Sequence, residues 1–310
     1  MTFKMQSGFR YRMPVVFGPA PGPRQKPGGG MWLPEETGRM NSEWMAITYR
    51  TSREKLEALL PPGFELRGEP VACVSCAWFK NLYWLAGRGY GILTVDIPVT
   101  YHGRDETLDG SFCAVIWEGS PDAVQTGRDE LGFSKIYADI AEISYGQDGK
   151  TASCSASWLG FTFFDITLTD LTEVEAAPSL PGVGGGAAMY YKYVPRTSIG
   201  GSEGADIAYV TTPAPPKAAG GKPDNIKFEG FDFKRWSAKG SFRWHRATFE
   251  QLPLQAHIVN TLADLEVIEI TKVEMVAFSG PGIAVAMDTM RAVEPPVADP
   301  ALTLARSARS

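Results

Sequence analysis

The chain has 310 residues, a formal net charge of −5 at pH 7, 44% hydrophobic residues and 21% charged residues. This composition is typical of a globular protein with a large core, and the length predicts one main domain with extensions. No basic excess is available to replace counterions on a phosphate backbone, so we expect no nucleic-acid partner. No apolar run reaches the ~18 residues of a spanning helix, and the first residues lack the apolar segment of a signal peptide. We therefore expect no membrane partner and a cytoplasmic location.

The four cysteines do not form a disulfide framework. Cys73 and Cys76 have the spacing of redox and zinc pairs, but residues 71–76 alternate like a buried strand. We interpret both cysteines as small core side chains. The three histidines, at positions 102, 245 and 257, are too dispersed to indicate a metal triad. The sequence therefore predicts no metal and no cofactor.

The first elements follow a Gly- and Pro-rich segment. Residues 1–40 contain the run 18–30, which is rich in both residue types, and predict an irregular N-terminal arm lying on a surface. Residues 44–50 are β-branched and aromatic, which favours a strand. A short helix is expected next, capped by Thr51 or Ser52.

Further strand-like stretches, separated by turn residues, predict mostly antiparallel β structure with few helices. The predicted strands are 70–79, 91–101, 111–118, 134–145, 151–159, 161–170, 187–195, 206–211, 237–249 and 265–279. One more helix is expected at about 249–262.

These elements define the predicted organisation of the chain. Residues 41–285 form a single domain, in which the Pro-, Ala- and Gly-rich segment 211–225 is an exposed loop. Residues 286–310 are expected to be a flexible C-terminal tail.

Lys135 is the main candidate for a catalytic residue. Ser120 can cap a helix, Pro121 fits its first turn, and Gly132 can end it in a left-handed conformation. Lys135 would then start a strand three residues later, which is a rigid position for a nucleophile. A lysine among apolar side chains loses part of the solvation that favours its ammonium form, so a neutral amine becomes available to attack a carbonyl. The alternative is a strand-edge lysine that extends to water.

Four segments, in this order along the chain, resemble the acetoacetate decarboxylase-like superfamily. They are residues 49–51 with the turn at 60–61, residues 97–103, the Gly-Arg-Asp triplet 127–129 followed by Lys135, and residues 262–269. The resemblance implies an α+β fold, mostly antiparallel β, arranged as a β-barrel or curved sheet with a few flanking helices. It also implies that Lys135 is the Schiff-base lysine; desolvated lysines are an established type of activated nucleophile, for which acetoacetate decarboxylase is itself a standard example.

The chain also departs from the family pattern. Ile136 stands where decarboxylases carry a second lysine, so activation of Lys135 must come from burial. The family places a glutamate shortly after a tyrosine, whereas Tyr90 is followed by Gly91 and Ile92. An acid near Ser75 and an arginine near position 42 are also missing from their expected places.

The remaining candidates are side chains that could transfer protons or contact a substrate. Each also has a plainer structural role, such as packing, a turn or a local ion pair. The predicted catalytic residues are Lys135, Tyr90 and Glu118. The predicted substrate-binding residues are Arg128, Arg39, Arg88, Trp84, Tyr101, His102 and Phe133.

The sequence predicts a Schiff-base-forming lyase that acts on an oxo acid through Lys135. The reaction is either decarboxylation of a bulky β-oxo acid or aldol and dehydration chemistry on a 2-oxo acid. The competing hypothesis is a non-catalytic β-barrel that binds an apolar small molecule. We expect a homo-oligomer, and a purely structural role in an assembly is a third possibility.

Overall fold

The computed structural model describes residues 4–197, 204–213, 230–282 and 290–293. The strands are β1 Arg39–Arg50, β2 Phe64–Leu66, β3 Val71–Leu82, β4 Arg88–His102, β5 Thr107–Glu118, β6 Lys135–Tyr137, β7 Asp139–Ile140, β8 Ser144–Tyr145, β9 Ala152–Trp158, β10 Phe161–Glu173, β11 Ala187–Pro195, β12 Ala205–Pro213, β13 Asp232–Trp244, β14 Glu269–Pro281 and β15 Met290–Val293. The α-helices are α1 Arg53–Glu57, α2 Pro121–Thr126 and α3 Ala256–Ala263.

All these strands belong to one sheet, with the order β15-β12-β11-β5-β4-β3-β1-β14-β13-β10-β9-β7. Three short strands pair off this path: β2 with β4, β6 with β5, and β8 with β9. Within the described residues, only the pairings of β5 with β11 and with β6 are parallel. The prediction of a mostly antiparallel β fold with few helices is therefore confirmed.

The sheet does not close into a barrel among the described residues, so the barrel form of the prediction is wrong and the open form holds. The segment that starts at Lys135 nevertheless links β5, the fourth strand of the path, with β9 near the other end of the path. Its first part, β6, pairs with β5, and its second part, β7, pairs with β9. Lys135 thus lies where the sheet curls back on itself.

The central strands have two buried faces because successive side chains of a strand point in opposite directions. On β4 the core face carries Leu93, Val95 and Ile97, which pack in the main hydrophobic core. The opposite face, called the site face below, carries Tyr90 and Ile92 on β4, which pack in a second, smaller cluster with Cys113 and Ile116 of β5.

A β-bulge in β5 changes which residues reach the site face. Val95 pairs with Val115 and Asp96 pairs with Cys113, so Ala114 has no partner on β4. The extra residue turns Cys113 toward the site face beside Asp96, whereas the preceding Phe112 joins the main core.

The helix before Lys135 follows the predicted punctuation. Ser120 Oγ accepts a hydrogen bond from Ala123 N at 3.4 Å, and Pro121 is the first residue of α2. The chain continues into a π-helical turn over Gly127–Leu131, which Gly132 ends at a φ of 78°. A π-turn carries the wider i→i+5 spacing and so re-aims the chain directly ahead of the lysine.

Other boundaries differ from the predictions. The predicted strand 134–145 is three short strands, β6, β7 and β8. The helix predicted at 249–262 begins only at Ala256, because residues 249–255 form turns. The strand predicted at 237–249 is shifted toward the N-terminus and ends at Trp244.

The arm, the predicted loop and the predicted tail contain more regular structure than expected. The arm is largely irregular up to β1, with short 3-10 turns at 15–17 and 34–36. The exposed loop was predicted at 211–225, but β12 extends to residue 213, and Thr211 and Thr212 are buried in this strand. Residues 214–225 of the predicted loop lie outside the described part. Within the predicted tail 286–310, residues 290–293 form β15 by pairing with β12, and the rest lies outside the described residues.

The described residues contain neither a membrane-spanning helix nor a metal-binding cluster. None of their helices is both long and apolar enough to cross a membrane. Nor do they contain a group of three or more His, Cys, Asp or Glu side chains arranged to hold a metal ion. Cys73 and Cys76 lie in the core as predicted, with 1% and 0% of their surface exposed.

Candidate functional site

Lys135 is a buried lysine at the first position of β6. It pairs with Ile116 of β5, and only 5% of its surface is exposed. Its Nζ donates to Glu118 Oε1 at 2.7 Å and to the Ala123 carbonyl oxygen at 3.2 Å. The Phe133 ring lies 5.2 Å from Nζ, within cation–π range. The lysine is therefore held by three contacts and does not extend to water.

Gly127 makes room for the lysine side chain. A Cβ at position 127 would lie 2.4 Å from Lys135 Cδ, 2.6 Å from Cε and 2.8 Å from Nζ. The backbone of Gly127 has ordinary helical angles, with φ −66° and ψ −45°. The glycine of the Gly-Arg-Asp triplet is thus required by the space that Lys135 occupies and not by its own conformation.

Arg128 holds the main chain at Lys135. Its Nη1 donates to the Lys135 carbonyl oxygen at 2.8 Å. This contact differs from both roles expected from the sequence, which were substrate binding and a local ion pair. The contact holds the start of β6 against the π-turn.

Glu118 is the ion-pair partner of Lys135, at the last position of β5. Only 1% of its surface is exposed, and its Oε2 has no hydrogen-bond partner among the described residues. Burial raises the pKa of Glu118, while Lys135 and Tyr90 lower it. Glu118 pairs across the ladder with Ile92, one of the two residues after Tyr90 where the family resemblance expects a glutamate. A carboxylate is therefore supplied from the neighbouring strand.

Tyr90 lies on the same face with 6% of its surface exposed. Burial raises its pKa well above the usual range, and the nearby Glu118 carboxylate raises it further. Trp84 packs on Tyr90, with ring centroids 6.3 Å apart. Phe133, already in contact with Lys135, packs on Tyr190 with centroids 4.1 Å apart. These aromatic rings line the site face.

Five of the predicted substrate-binding residues are not among the contacts of Lys135; one of them, Trp84, packs on Tyr90. Tyr101 lies in the main core against Phe64, with ring centroids 4.6 Å apart. The other three are exposed and engaged elsewhere: His102 with Glu65 at 3.1 Å, Arg39 with Asp232 at 2.8 Å, and Arg88 with the Leu85 carbonyl at 3.3 Å. Tyr101 points to the core face because it follows Val99 and Ile97 in the odd-numbered series of β4.

The sequence interpretation missed three polar residues on the site face: Asp96, Cys113 and Tyr190. Burial raises the pKa of Asp96 to about 6. Burial also raises the pKa of Cys113, as does the adjacent Asp96 carboxylate. The period-2 alternation of β4, which places Tyr90 and Asp96 on one face, was a signal for Asp96. No comparable sequence signal exists for Cys113, because its orientation depends on the bulge, or for Tyr190, because its position depends on the parallel pairing of β11 with β5.

A family model described as "Acetoacetate decarboxylase (ADC)" matches residues 12–279, most of the chain. The chain belongs to the acetoacetate decarboxylase family. The resemblance inferred from the four sequence segments is thereby confirmed. No curated protein matches the chain by sequence.

Solved structures of the acetoacetate decarboxylase family share this fold. A structure from "Structural Studies of Acetoacetate Decarboxylase" matches with a TM-score of 0.62 and 15% identity, covering 93% of this chain and 96% of that one. The enduracididine biosynthesis enzyme MppR complexed with pyruvate matches with a TM-score of 0.60 and 14% identity, covering 93% and 98%. An acetoacetate decarboxylase from Legionella pneumophila matches with a TM-score of 0.55 and 17% identity, covering 84% and 90%. At these identities the likeness establishes the fold.

Proposed function

We propose that this member of the acetoacetate decarboxylase family is a Schiff-base-forming lyase that acts on an oxo acid through Lys135. The observation that carries the proposal is the buried Lys135–Glu118 pair, in which one carboxylate oxygen holds the amine and the other has no partner among the described residues. A buried charge pair is costly to desolvate and rarely stabilises a fold. Its place on the aromatic site face favours a chemical role.

Glu118 provides a route from the ammonium to the reactive amine. Burial raises its pKa, so its carboxylate is a stronger base than an exposed one. It accepts a proton from Lys135 along the 2.7 Å hydrogen bond, and the neutral amine attacks the substrate carbonyl carbon. The carbinolamine then loses its hydroxyl, protonated by the Glu118 carboxylic acid, as water. The products of this step are the iminium and the regenerated carboxylate.

The iminium accepts the electron pair of the bond that breaks next. In decarboxylation of a β-oxo acid that pair comes from the carbon–carboxylate bond, carbon dioxide leaves, and an enamine remains. Aldol or dehydration chemistry on a 2-oxo acid needs a positioned proton carrier as well. Tyr90, whose raised pKa keeps its hydroxyl protonated, is our candidate for this proton donor. The complex of MppR with pyruvate supports including 2-oxo acids among the substrates.

Partly exposed aromatic rings on the site face support a substrate with an apolar part. Trp84, Phe133 and Tyr190 are each neither fully buried nor fully exposed. Such rings bind the apolar part of a ligand, while the few polar groups of a site fix the orientation of the ligand. The predicted homo-oligomer and cytoplasmic location stay predictions.

Borohydride trapping tests the proposal. The protein is incubated with pyruvate, acetoacetate or an aromatic β-oxo acid, reduced, and digested for peptide mass spectrometry. We expect a reduced adduct on Lys135 with at least one compound. In the variant Lys135→Met/Glu118→Gln, which removes both buried charges together, we expect no adduct and an intact fold.

Lys192 provides the matched control for this experiment. It is half-buried, burial lowers its pKa, and its Nζ donates to the Asp129 carbonyl oxygen at 2.6 Å. The variant Lys192→Arg should keep the full adduct on Lys135. An adduct that forms on Lys192 instead, or no adduct with any compound, would contradict the proposal. The second outcome would favour the ligand-binding hypothesis.

A further inference from the structure

Asp96 is a second carboxyl group on the site face, in the interior of β4 and four residues beyond Ile92, which pairs with Glu118. Thr94 Oγ1 donates to Asp96 Oδ2 at 2.9 Å. A hydroxyl has one proton, so Ser75 Oγ must be the donor in its 2.8 Å contact with Thr94 Oγ1. Ser75 and Thr94 are buried, and together they form a directed row of donors that fixes the carboxylate.

The strand registers give the position of Asp96 relative to Lys135. Thr94 pairs with Ile116, and Ile116 pairs with Lys135 on its other side. Asp96 lies two residues beyond Thr94 on the same face, which is about 6.6 Å along the strand, and β4 and β6 are about 9.6 Å apart across β5. The two backbones are thus about 12 Å apart. Asp96 is too remote to reach the imine carbon but lies on the same face.

Tyr190 and Cys113 connect the two ends of this face. Tyr190 has its pKa raised by burial and then by Cys113, Asp96 and Glu118, so its hydroxyl lies within electrostatic reach of both carboxylates. The pKa of the Cys113 thiol is raised by Asp96 and lowered by Lys135. Cys113 and Tyr190 pack in the same cluster as Phe133, which contacts Lys135, so the face between Lys135 and Asp96 is continuous.

Asp96 is half-buried and has no ion pair with any described residue, and burial raises its pKa to about 6. The groups that face it are Thr94 on its own strand, Cys73 on β3, Cys113 on β5 and Tyr190 on β11. Thr94 donates to one oxygen of this carboxylate, and a carboxylate can accept further hydrogen bonds, so a donor group of a ligand can still bind to it.

We propose that Asp96 is a specificity-determining residue that accepts a hydrogen bond from a donor group at the far end of the substrate. The inference rests on the proposed function, because it takes the near end to be the oxo group that reacts with Lys135. It narrows the substrate class to oxo acids whose apolar part ends in a hydroxyl or similar donor. An aromatic 2-oxo acid with a para hydroxyl group has the length to reach from Lys135 to Asp96.

The test compares 4-hydroxyphenylpyruvate with phenylpyruvate, which differ only in the terminal hydroxyl. Affinities are measured by calorimetry at pH 8, and borohydride adducts on Lys135 are measured in parallel. We expect about 10- to 100-fold tighter binding of the hydroxylated acid, the range for a hydrogen bond to a charged group. In Asp96→Leu the preference should disappear.

Two further readouts separate this role from a structural one. The preference should weaken as the pH falls through about 6, because the Asp96 carboxylate then becomes neutral. The matched control Glu118→Gln removes the other carboxylate and should lower the adduct yield without changing the preference.

The outcomes of the two measurements are independent. If the wild-type protein binds both acids equally, or neither, the proposal for Asp96 is overturned, whatever the adducts show. If the preference is present and lost in Asp96→Leu while no adduct forms, the proposal for Asp96 stands and the Schiff-base function fails.

Discussion

The two faces of β4 and β5 differ in what they bury. The core face carries Leu93, Val95 and Trp117, all at most 1% exposed. The site face, built from the alternate residues of the same strands, carries Tyr90, Glu118 and other polar groups. Both faces are enclosed, so the difference lies in the chemistry of the side chains. One face stabilises the fold, and the other holds titratable groups away from water.

The neighbours Trp117 and Glu118 show this contrast most directly. Trp117 packs against Phe163 and Trp244, with ring centroids 5.3 and 5.6 Å away, and its Nε1 donates to Gln255 at 2.6 Å. Both the ring and the N–H group of Trp117 thus have partners in the core. Glu118 instead keeps one carboxylate oxygen unpartnered among the described residues. Substitutions at the two positions should therefore separate stability from activity.

The largest effect is expected for Glu118→Ala, which should reduce both properties. It leaves the Lys135 ammonium buried without its partner, which costs about 3–5 kcal/mol of unfolding free energy. It also removes the proton acceptor, so adduct formation should slow by about 100-fold or more. Urea denaturation and timed borohydride trapping measure the two effects. Glu118→Gln, which keeps a hydrogen-bond acceptor, should lose less stability but remain slow; a fast Glu118→Gln would contradict the proton-acceptor role.

Trp117→Ala should lower stability alone. Deleting a buried tryptophan side chain costs about 3–5 kcal/mol. The adduct yield per folded molecule should stay near that of the wild type, because the indole lies on the core face. Denaturation followed by fluorescence, together with trapping in the absence of denaturant, checks both statements. A large loss of adduct in folded Trp117→Ala would show that the two faces are coupled.

Gly127→Ala should act on the site face with a smaller effect. The new methyl group would overlap the Lys135 side chain and displace its amine, and overpacking costs about 1–3 kcal/mol of unfolding free energy. We expect adduct formation to slow by about tenfold. Gly119→Ala is the matched control, since its Cβ would meet nothing closer than 3.7 Å. Equal rates in the two variants would argue against the steric role of Gly127.

The smallest effect is expected for Arg128→Met. The guanidinium holds the Lys135 carbonyl, so its loss should weaken the start of β6 by about 1 kcal/mol and change substrate affinity little. Steady-state kinetics or calorimetry with the oxo acid that forms the adduct measures this. A loss of affinity above about 100-fold would instead support the role of Arg128 as a clamp for the substrate carboxylate.

The sequence predicted the elements whose signals are local. The sequence signals at Ser120 and Gly132 each arise within a few residues, and they bound the helical segment that precedes Lys135. The alternation of β4 is local in the same way. Other features depend on contacts between distant segments. They are the open form of the sheet, the turns at 249–255 and the contact of Arg128 with the Lys135 carbonyl. Glu118 was a candidate from its residue type alone, and only the pairing of β5 with β4 and β6 shows why it lies beside the lysine.

The bulge at Ala114 sets the phase of side chains along β5. Because a strand has a period of two, pairing Ala114 in a regular ladder instead of in a bulge would exchange the two faces for every residue of β5 before it. Phe112 would then turn to the site face and Cys113 into the apolar core, while Glu118 would keep its orientation. The unpaired Ala114 thus shifts the alternation of side chains along β5 by one residue. This shift places the Cys113 thiol beside Asp96.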